Sequence, residues 1–189
     1  MWTMQKKKQP VPVGVQSFNA IRRENYVYAD KSQFIEQLDL EGSSYFLIRP
    51  RRFGKSLFVS MLEAYYKGQK ELFKGLAIEK IKEESGEEWQ SYPVLKLDLN
   101  AGEYTEKEHL HAILNAQVER WFAQFGIERK FGAPNLDFAF LLESLYNKFG
   151  KKVVFLVDEY DKPLIATLEN LELNDYYRTV LKAFYGVIK

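Results

Sequence analysis

The period of the apolar positions changes along this chain, and each change marks an element. Val153-Val154-Phe155-Leu156-Val157 is an unbroken, β-branched-rich run behind Lys151-Lys152. A short run apolar at every position predicts a strand buried on both faces, as in a parallel sheet. Val94-Leu95-Lys96-Leu97-Asp98-Leu99, opened by Pro93, predicts a second sheet strand, and Tyr45-Phe46-Leu47-Ile48 a third. Elsewhere the period is helical. Leu57 to Tyr66 carries apolar residues round more than one face, and Gly68 is placed to end the helix as a left-handed cap. Tyr104 to Phe125 follows the same period, with Thr105 and Glu108 spaced as a capping box. A helix over about Leu136 to Phe149 stops at Gly150, and another covers Asn174 to Val187. Shorter signals fill the first part of the chain. Ser17 caps a helix to Glu24, Tyr26-Val27-Tyr28 is a short strand, and Asp30 or Ser32 caps a helix to about Leu40. Glu71 to Leu76 reads as a helical turn, and Lys80 to Gln90 as a charged, exposed stretch.

Strands alternating with helices predict a three-layer α/β domain with a parallel sheet. Residues 1–13, rich in Lys and Pro and without periodicity, read as a flexible arm, and residues 14–189 as the domain. No internal repeat or low-complexity tract interrupts it. At 189 residues a single core suffices, since folding at this size buries roughly 70% of the unfolded chain's surface. With 27 basic and 26 acidic side chains, overall charge selects no partner. The absence of cysteine excludes disulfides, thiol nucleophiles and thiolate metal sites, and is compatible with a reducing compartment. The basic start, Lys6-Lys7-Lys8, runs into Gln9-Pro10-Val11-Pro12 where an export signal needs a long apolar stretch. No run approaches the ~20 apolar residues of a membrane helix. The expected location is cytoplasmic, with no membrane partner.

The first candidate chemistry lies where the Tyr45–Ile48 run meets Arg49-Pro50-Arg51-Arg52-Phe53-Gly54-Lys55-Ser56 and a helix follows. An apolar strand, a Gly-Lys-Ser turn and a helix are the layout of a nucleotide-phosphate cradle. In GxxxxGK[ST], loop N–H groups surround the phosphates, the lysine reaches the β and γ phosphates, and the hydroxyl ligates Mg²⁺. Gly54, Lys55 and Ser56 fill the last three places, while Arg49 stands where the first glycine belongs. A helix opening at Gly54-Lys55-Ser56 aims free N–H groups and a positive dipole end at an anion. The plain alternative is a basic surface turn before an ordinary helix. The candidate ATP-binding residues are Arg51, Arg52, Phe53, Gly54, Lys55, Ser56 and Leu57.

The second candidate is the Asp158-Glu159 pair that ends the Val153–Val157 run. Ligands of open α/β sheets collect at the C-terminal edge of the strands. P-loop ATPases place one acid there to hold Mg²⁺ through its water shell, and many use a neighbouring glutamate to prepare the attacking water. Asp158 and Ser56 fit the metal role, Glu159 the base, and Lys55 the charge stabiliser.

Four segments then resemble, in order, the bacterial AAA-ATPase-like family of uncharacterised proteins. They are Pro12-Val13-Gly14-Val15-Gln16-Ser17-Phe18, Asn25-Tyr26-Val27-Tyr28-Ala29-Asp30-Lys31-Ser32, Arg49 to Ser56, and Leu156-Val157-Asp158-Glu159-Tyr160-Asp161-Lys162-Pro163. The resemblance spans nearly the whole chain. It implies an ASCE/AAA-like P-loop fold, and makes the missing first glycine a family trait. It also implies further ATPase strands and, commonly, a C-terminal domain like the PD-(D/E)XK nucleases, neither of which is seen before Lys189. Nucleic acid is then a partner only through that missing region.

Other residues carry competing readings. Arg49, Arg51 and Arg52 can add guanidinium donors to phosphate, face a partner, or pair with nearby acids. Asp30-Lys31 can shape a base pocket, though an N-cap accounts equally for Asp30. Asp161 can be a third acid near the metal, or the acid that opens a proline-started helix. His109 and His111, two apart on a helix, point to different faces and cannot share a metal as an i, i+4 pair does. The aromatic residues, 15% of the chain, can stack bases but at helical spacing form core.

The sequence therefore predicts an Mg²⁺-dependent ATP-binding and hydrolysing module whose nucleotide state is passed to a C-terminal effector region. The rival is a nucleotide-sensing module that holds protein or nucleic acid without turnover, and a small-molecule kinase ranks below both. Because no strand follows Asp158, the sheet is expected to be incomplete on its C-terminal side. The chain alone is then expected to hydrolyse ATP poorly, and its open sheet edge to favour self-association.

Overall fold

The computed structural model describes residues 9–41, 44–48, 50, 53–100 and 102–188. The chain divides into two compact units, Met1–Ser91 and Tyr92–Lys189. Helices and strands are mixed in an α/β arrangement that contains a small parallel sheet.

The first unit is helical. Its elements are α1 (Phe18–Arg23), α2 (Phe34–Glu41), α3 (Lys55–Tyr66), a 3₁₀ turn at Lys70–Phe73, and α4 (Ala77–Ser85). Ser17 caps α1 as expected, its side chain accepting from the Ala20 N–H at 3.3 Å. The core is drawn from α1, α3 and the 3₁₀ turn: Phe18, Ile21, Met61, Ala64, Tyr65, Leu72 and Phe73 are buried. Phe18 and Phe73 bring ring centroids to 5.0 Å. Polar bonds tie the same pieces together. Ser60 Oγ accepts from the Phe18 N–H at 3.0 Å, and Arg22 donates to the carbonyls of Leu72 and Lys74 at 2.7 and 2.6 Å. The Tyr28 hydroxyl lies 3.1 Å from Met61 Sδ, and burial pushes its pKa up to about 12. The described end of the N-terminal arm is fastened by Pro10, whose carbonyl accepts from the Val27 N–H at 2.9 Å.

Two of the expected strands are absent from this unit. Tyr26-Val27-Tyr28 bonds through its backbone to Ile21 and Pro10 but joins no ladder among the described residues, and Tyr45–Ile48 is not in a strand. Tyr45, Phe46, Leu47 and Ile48 are exposed, with Ile48 at 87%. An apolar run becomes a buried strand only where neighbouring strands take its N–H and C=O groups. Among the described residues no ladder does so here.

The second unit holds the sheet. It comprises β1 (Val94–Asp98), α5 (Lys107–Phe125), α6 (Pro134–Phe149), β2 (Val154–Asp158), α7 (Lys162–Ala166) and α8 (Leu171–Tyr185). The strands run parallel in a register that pairs Val94 with Val154 and Asp98 with Asp158. A parallel pair needs a crossover connection, which α5 and α6 provide. The core gathers Leu95, Leu97 and Leu99 from the β1 region with Leu114, Val118 and Trp121 of α5, Phe138 and Leu141 of α6, and Tyr177, Leu181 and Phe184 of α8. Phe138 stacks on Phe184 at 4.7 Å. Gly150 ends α6 with φ of 64°, the left-handed cap expected of it. Val154 to Val157 are only half-buried, because β2 has a single pairing partner among the described strands.

Helix starts differ from expectation where tertiary contacts decide them. α5 begins at Lys107, so Thr105 and Glu108 form no capping box. The Tyr177 hydroxyl instead takes the Glu106 carbonyl at 2.6 Å, and Thr105 Oγ1 lies 3.3 Å from His109 Nδ1. α8 starts three residues before Asn174. Asn170 is its cap, accepting from Leu173 N–H at 3.1 Å, while Asn174 is buried and donates to Leu164 O and Thr167 Oγ1. Among the described residues no helix is long and apolar enough to cross a membrane.

Candidate functional site

Two sets of residues carry the expected chemistry, one on each unit. On the first, α3 opens at Lys55 directly behind Gly54, whose φ of 75° and ψ of 27° are left-handed. An L-residue resists that conformation, so glycine is the natural occupant. Gly54 has no side chain to cap the helix, and its carbonyl accepts from the Phe58 N–H at 2.9 Å. The first turn contains no acidic residue. The N–H groups of Lys55, Ser56 and Leu57 thus belong to a positive helix end that carries a lysine and a hydroxyl. Lys55, Ser56 and Leu57 are half-buried, whereas Phe53 is 60% exposed. Arg49, Arg51 and Arg52 lie outside the described residues.

Asp30-Lys31-Ser32 is fixed beside this turn in a way the sequence did not reveal. Asp30 is a helix cap, but of α4 and not of the helix that follows it. Its Oδ2 accepts from the Ala77 N–H at 2.7 Å and its Oδ1 from the Ser32 N–H at 2.8 Å. Ser32, fully buried, accepts from the Ile78 N–H at 3.1 Å. Lys31 stands between these anchors. Its Nζ lies 3.9 Å from the point that a Cβ on Gly54 would occupy.

On the second unit, β2 ends at Asp158, which is 7% exposed. Among the described residues its carboxylate receives one hydrogen bond, from the Glu159 N–H at 3.1 Å. Glu159 itself sits at φ of 53°, a left-handed backbone that costs a non-glycine residue about 1 kcal/mol or more. The Lys162 N–H bonds its carbonyl at 3.0 Å and closes the turn into α7. Strained backbone of this kind concentrates at functional turns. Asp161 opens α7: its carbonyl accepts from Leu164 and Ile165 at 3.0 and 2.9 Å. Asp161 is therefore the residue before a proline-bearing helix start.

Asp98, which sequence reasoning passed over, is the register partner of Asp158 at the end of β1. Its Oδ1 accepts from the Asn100 N–H at 2.9 Å. The two strands each end in an aspartate, although the apolar run of the first continues to Leu99. His109 turns to Thr105 and Glu106, and His111 to the Tyr176 ring. Among the described residues no three His, Cys, Asp or Glu side chains are grouped to hold a metal. The Ser56 hydroxyl on the first unit and the Asp158 carboxylate on the second are each oxygen donors of the hard kind that Mg²⁺ prefers.

The chain belongs to the AAA-ATPase-like family, described as predicted AAA-ATPases, whose pattern it matches over residues 12–189. It is 35% identical over 190 residues to the "uncharacterized protein in vnfD 5′ region" of Azotobacter chroococcum mcd 1. That alignment covers 98% of this chain and 35% of the relative, so the chain spans about a third of the curated protein it matches. No solved structure matches.

Proposed function

We propose that this chain is the nucleotide-binding part of an Mg²⁺-dependent ATPase, with Lys55, Ser56, Asp158 and Glu159 as its working side chains. The observation that carries the proposal is the left-handed Gly54 ahead of an uncapped, acid-free first turn bearing Lys55 and Ser56, in a member of a family of predicted AAA-ATPases. Arg51, Arg52, Phe53 and Leu57 complete the ATP-binding loop in this proposal. The parallel β1–β2 pair is then part of a larger three-layer P-loop sheet.

Chemically, the N–H groups of the first α3 turn and the Lys55 ammonium bind phosphate oxygens and offset the charge that builds on them. Ser56 Oγ and the Asp158 carboxylate are the protein oxygens offered to the metal, directly or through its waters. When bound, Mg²⁺ supplies Lewis-acid neutralisation of the phosphate oxygens. Glu159 orients a water for in-line attack on the terminal phosphorus and takes up its proton, with ADP as the leaving group. The strained turn that holds Glu159 supports a positioned base over a mere helix lead-in. Coupling of nucleotide state to an effector region, through which nucleic acid would be engaged, belongs to the same proposal, as does self-association.

The test separates binding from turnover. Glu159→Gln keeps the side chain's shape and removes its basicity, so MgATP binding should stay near the parent's while hydrolysis falls by at least ~10²-fold, the usual share of general base catalysis. Unchanged turnover in Glu159→Gln would remove the base from the account.

A further inference from the structure

We infer that Lys31 is a second phosphate-binding cation of this site, placed against the Gly54 turn so that its ammonium and that of Lys55 converge on one polyphosphate. The inference rests on the nucleotide-binding proposal above and adds to it a residue on another segment of the chain. The position of Lys31 is built from its neighbours. Both carboxylate oxygens of Asp30 are committed to backbone N–H groups, those of Ala77 and Ser32, and the Ser32 hydroxyl is committed to Ile78. The Lys31 carbonyl accepts from the Phe34 N–H at 3.2 Å. The backbone on either side of Lys31 is therefore locked to the start of α4 and to the turn into α2. The acid next to Lys31 in sequence is directed to another helix, and no ion pair joins Lys31 to a described residue.

That leaves its ammonium 3.9 Å from where a Gly54 Cβ would be. A phosphate oxygen bonded to the N–H groups of the first α3 turn lies about 2.7–3.2 Å from them, a shell that an ammonium at this distance from Gly54 can share. The first turn of α3 holds no acid, so a polyphosphate there would meet the positive helix end and the Lys31 ammonium without a competing carboxylate in the turn.

The test is MgATP protection of lysines in the unmodified chain, read by mass spectrometry after brief acetylation, with the exposed Lys74 as the unprotected control. Protection of both Lys31 and Lys55 is expected. Protection of Lys55 without Lys31 overturns the inference and leaves the nucleotide proposal standing, whereas protection of neither overturns both. Titration of variants gives an independent reading. Lys31→Met should weaken MgATP binding by about 10- to 100-fold, the contribution of one charge-assisted hydrogen bond, with Lys31→Arg retaining most of the affinity. The melting temperature without nucleotide should not move in either variant. Equal affinity of Lys31→Met and parent, or loss of affinity only in step with loss of melting temperature, contradicts a phosphate contact.

Discussion

Replacing Asp137 should cost more stability than replacing any other single acid in the second unit, and the cost should depend on pH. Asp137 is fully buried near the start of α6. Its Oδ2 accepts from Arg129 Nε at 2.6 Å, and its Oδ1 from the N–H groups of Phe131 and Lys130 at 2.8 and 3.3 Å. Arg129 also donates to Asn115 Oδ1, so the carboxylate organises the whole turn between α5 and α6. Burial alone would raise the Asp137 pKa, but the Arg129 hydrogen bond and the two N–H groups outweigh it, and the net shift is downward from 3.8. Asp137→Ala leaves a guanidinium and two backbone donors without their acceptor. Breaking a buried ion pair costs about 3–5 kcal/mol, and with Arg129 still 26% exposed the lower end applies. At about 2–4 °C per kcal/mol for a chain of this size, the melting temperature should fall by roughly 6–12 °C. A group whose folded pKa is depressed contributes stability that is complete above the unfolded value. That contribution is lost as pH falls through 3.8 towards the folded value. Thermal melts of parent and Asp137→Asn from pH 7 down to 3 should thus converge, the parent losing more. Parallel curves, or a neutral-pH loss below about 1 kcal/mol, which is the size of an ordinary surface change, would refute the reasoning.

Ser32→Ala should destabilise the first unit by about 1–2 kcal/mol, since it strands the buried Ile78 N–H at the start of α4, and hydrogen exchange at Ile78 should speed up while that of α1 amides does not. Gly54→Ala should cost about 1–2 kcal/mol through backbone strain, because the nearest atom to the new Cβ is only the far end of Lys31. The same variant should weaken MgATP binding, and unchanged affinity would detach Gly54 from the phosphate loop.

Local chemistry made much of this fold legible. Ser17 and Gly150 terminate helices as their side chains, or lack of one, require, and the two aliphatic runs ending at Asp98 and Asp158 are parallel strands. What sequence could not give was the partner of each polar group. Asp30 caps a helix that begins 47 residues later, and Asn174 turns inward because Leu164 and Thr167 offer it partners there. Thr105 loses its expected cap because Tyr177 fixes the Glu106 carbonyl. The run Tyr45–Ile48 satisfies the strand pattern but is in no strand among the described residues, since pattern records side chains and pairing depends on which backbones lie alongside. Of the proposed site, Gly54, Lys55, Ser56, Asp158 and Glu159 are motif residues, while the nearness of Lys31 to Gly54 and the pairing of Asp98 with Asp158 come from the distances and register of the folded chain.

The most direct measurement is calorimetric titration of the chain with MgATP, beside Lys55→Ala. The parent should bind, and the variant should lose at least about tenfold in affinity, the value of a charged hydrogen bond to phosphate, with its melting temperature without nucleotide unchanged. Equal affinity of parent and Lys55→Ala, or no binding by the parent at all, would contradict a nucleotide site at the head of α3.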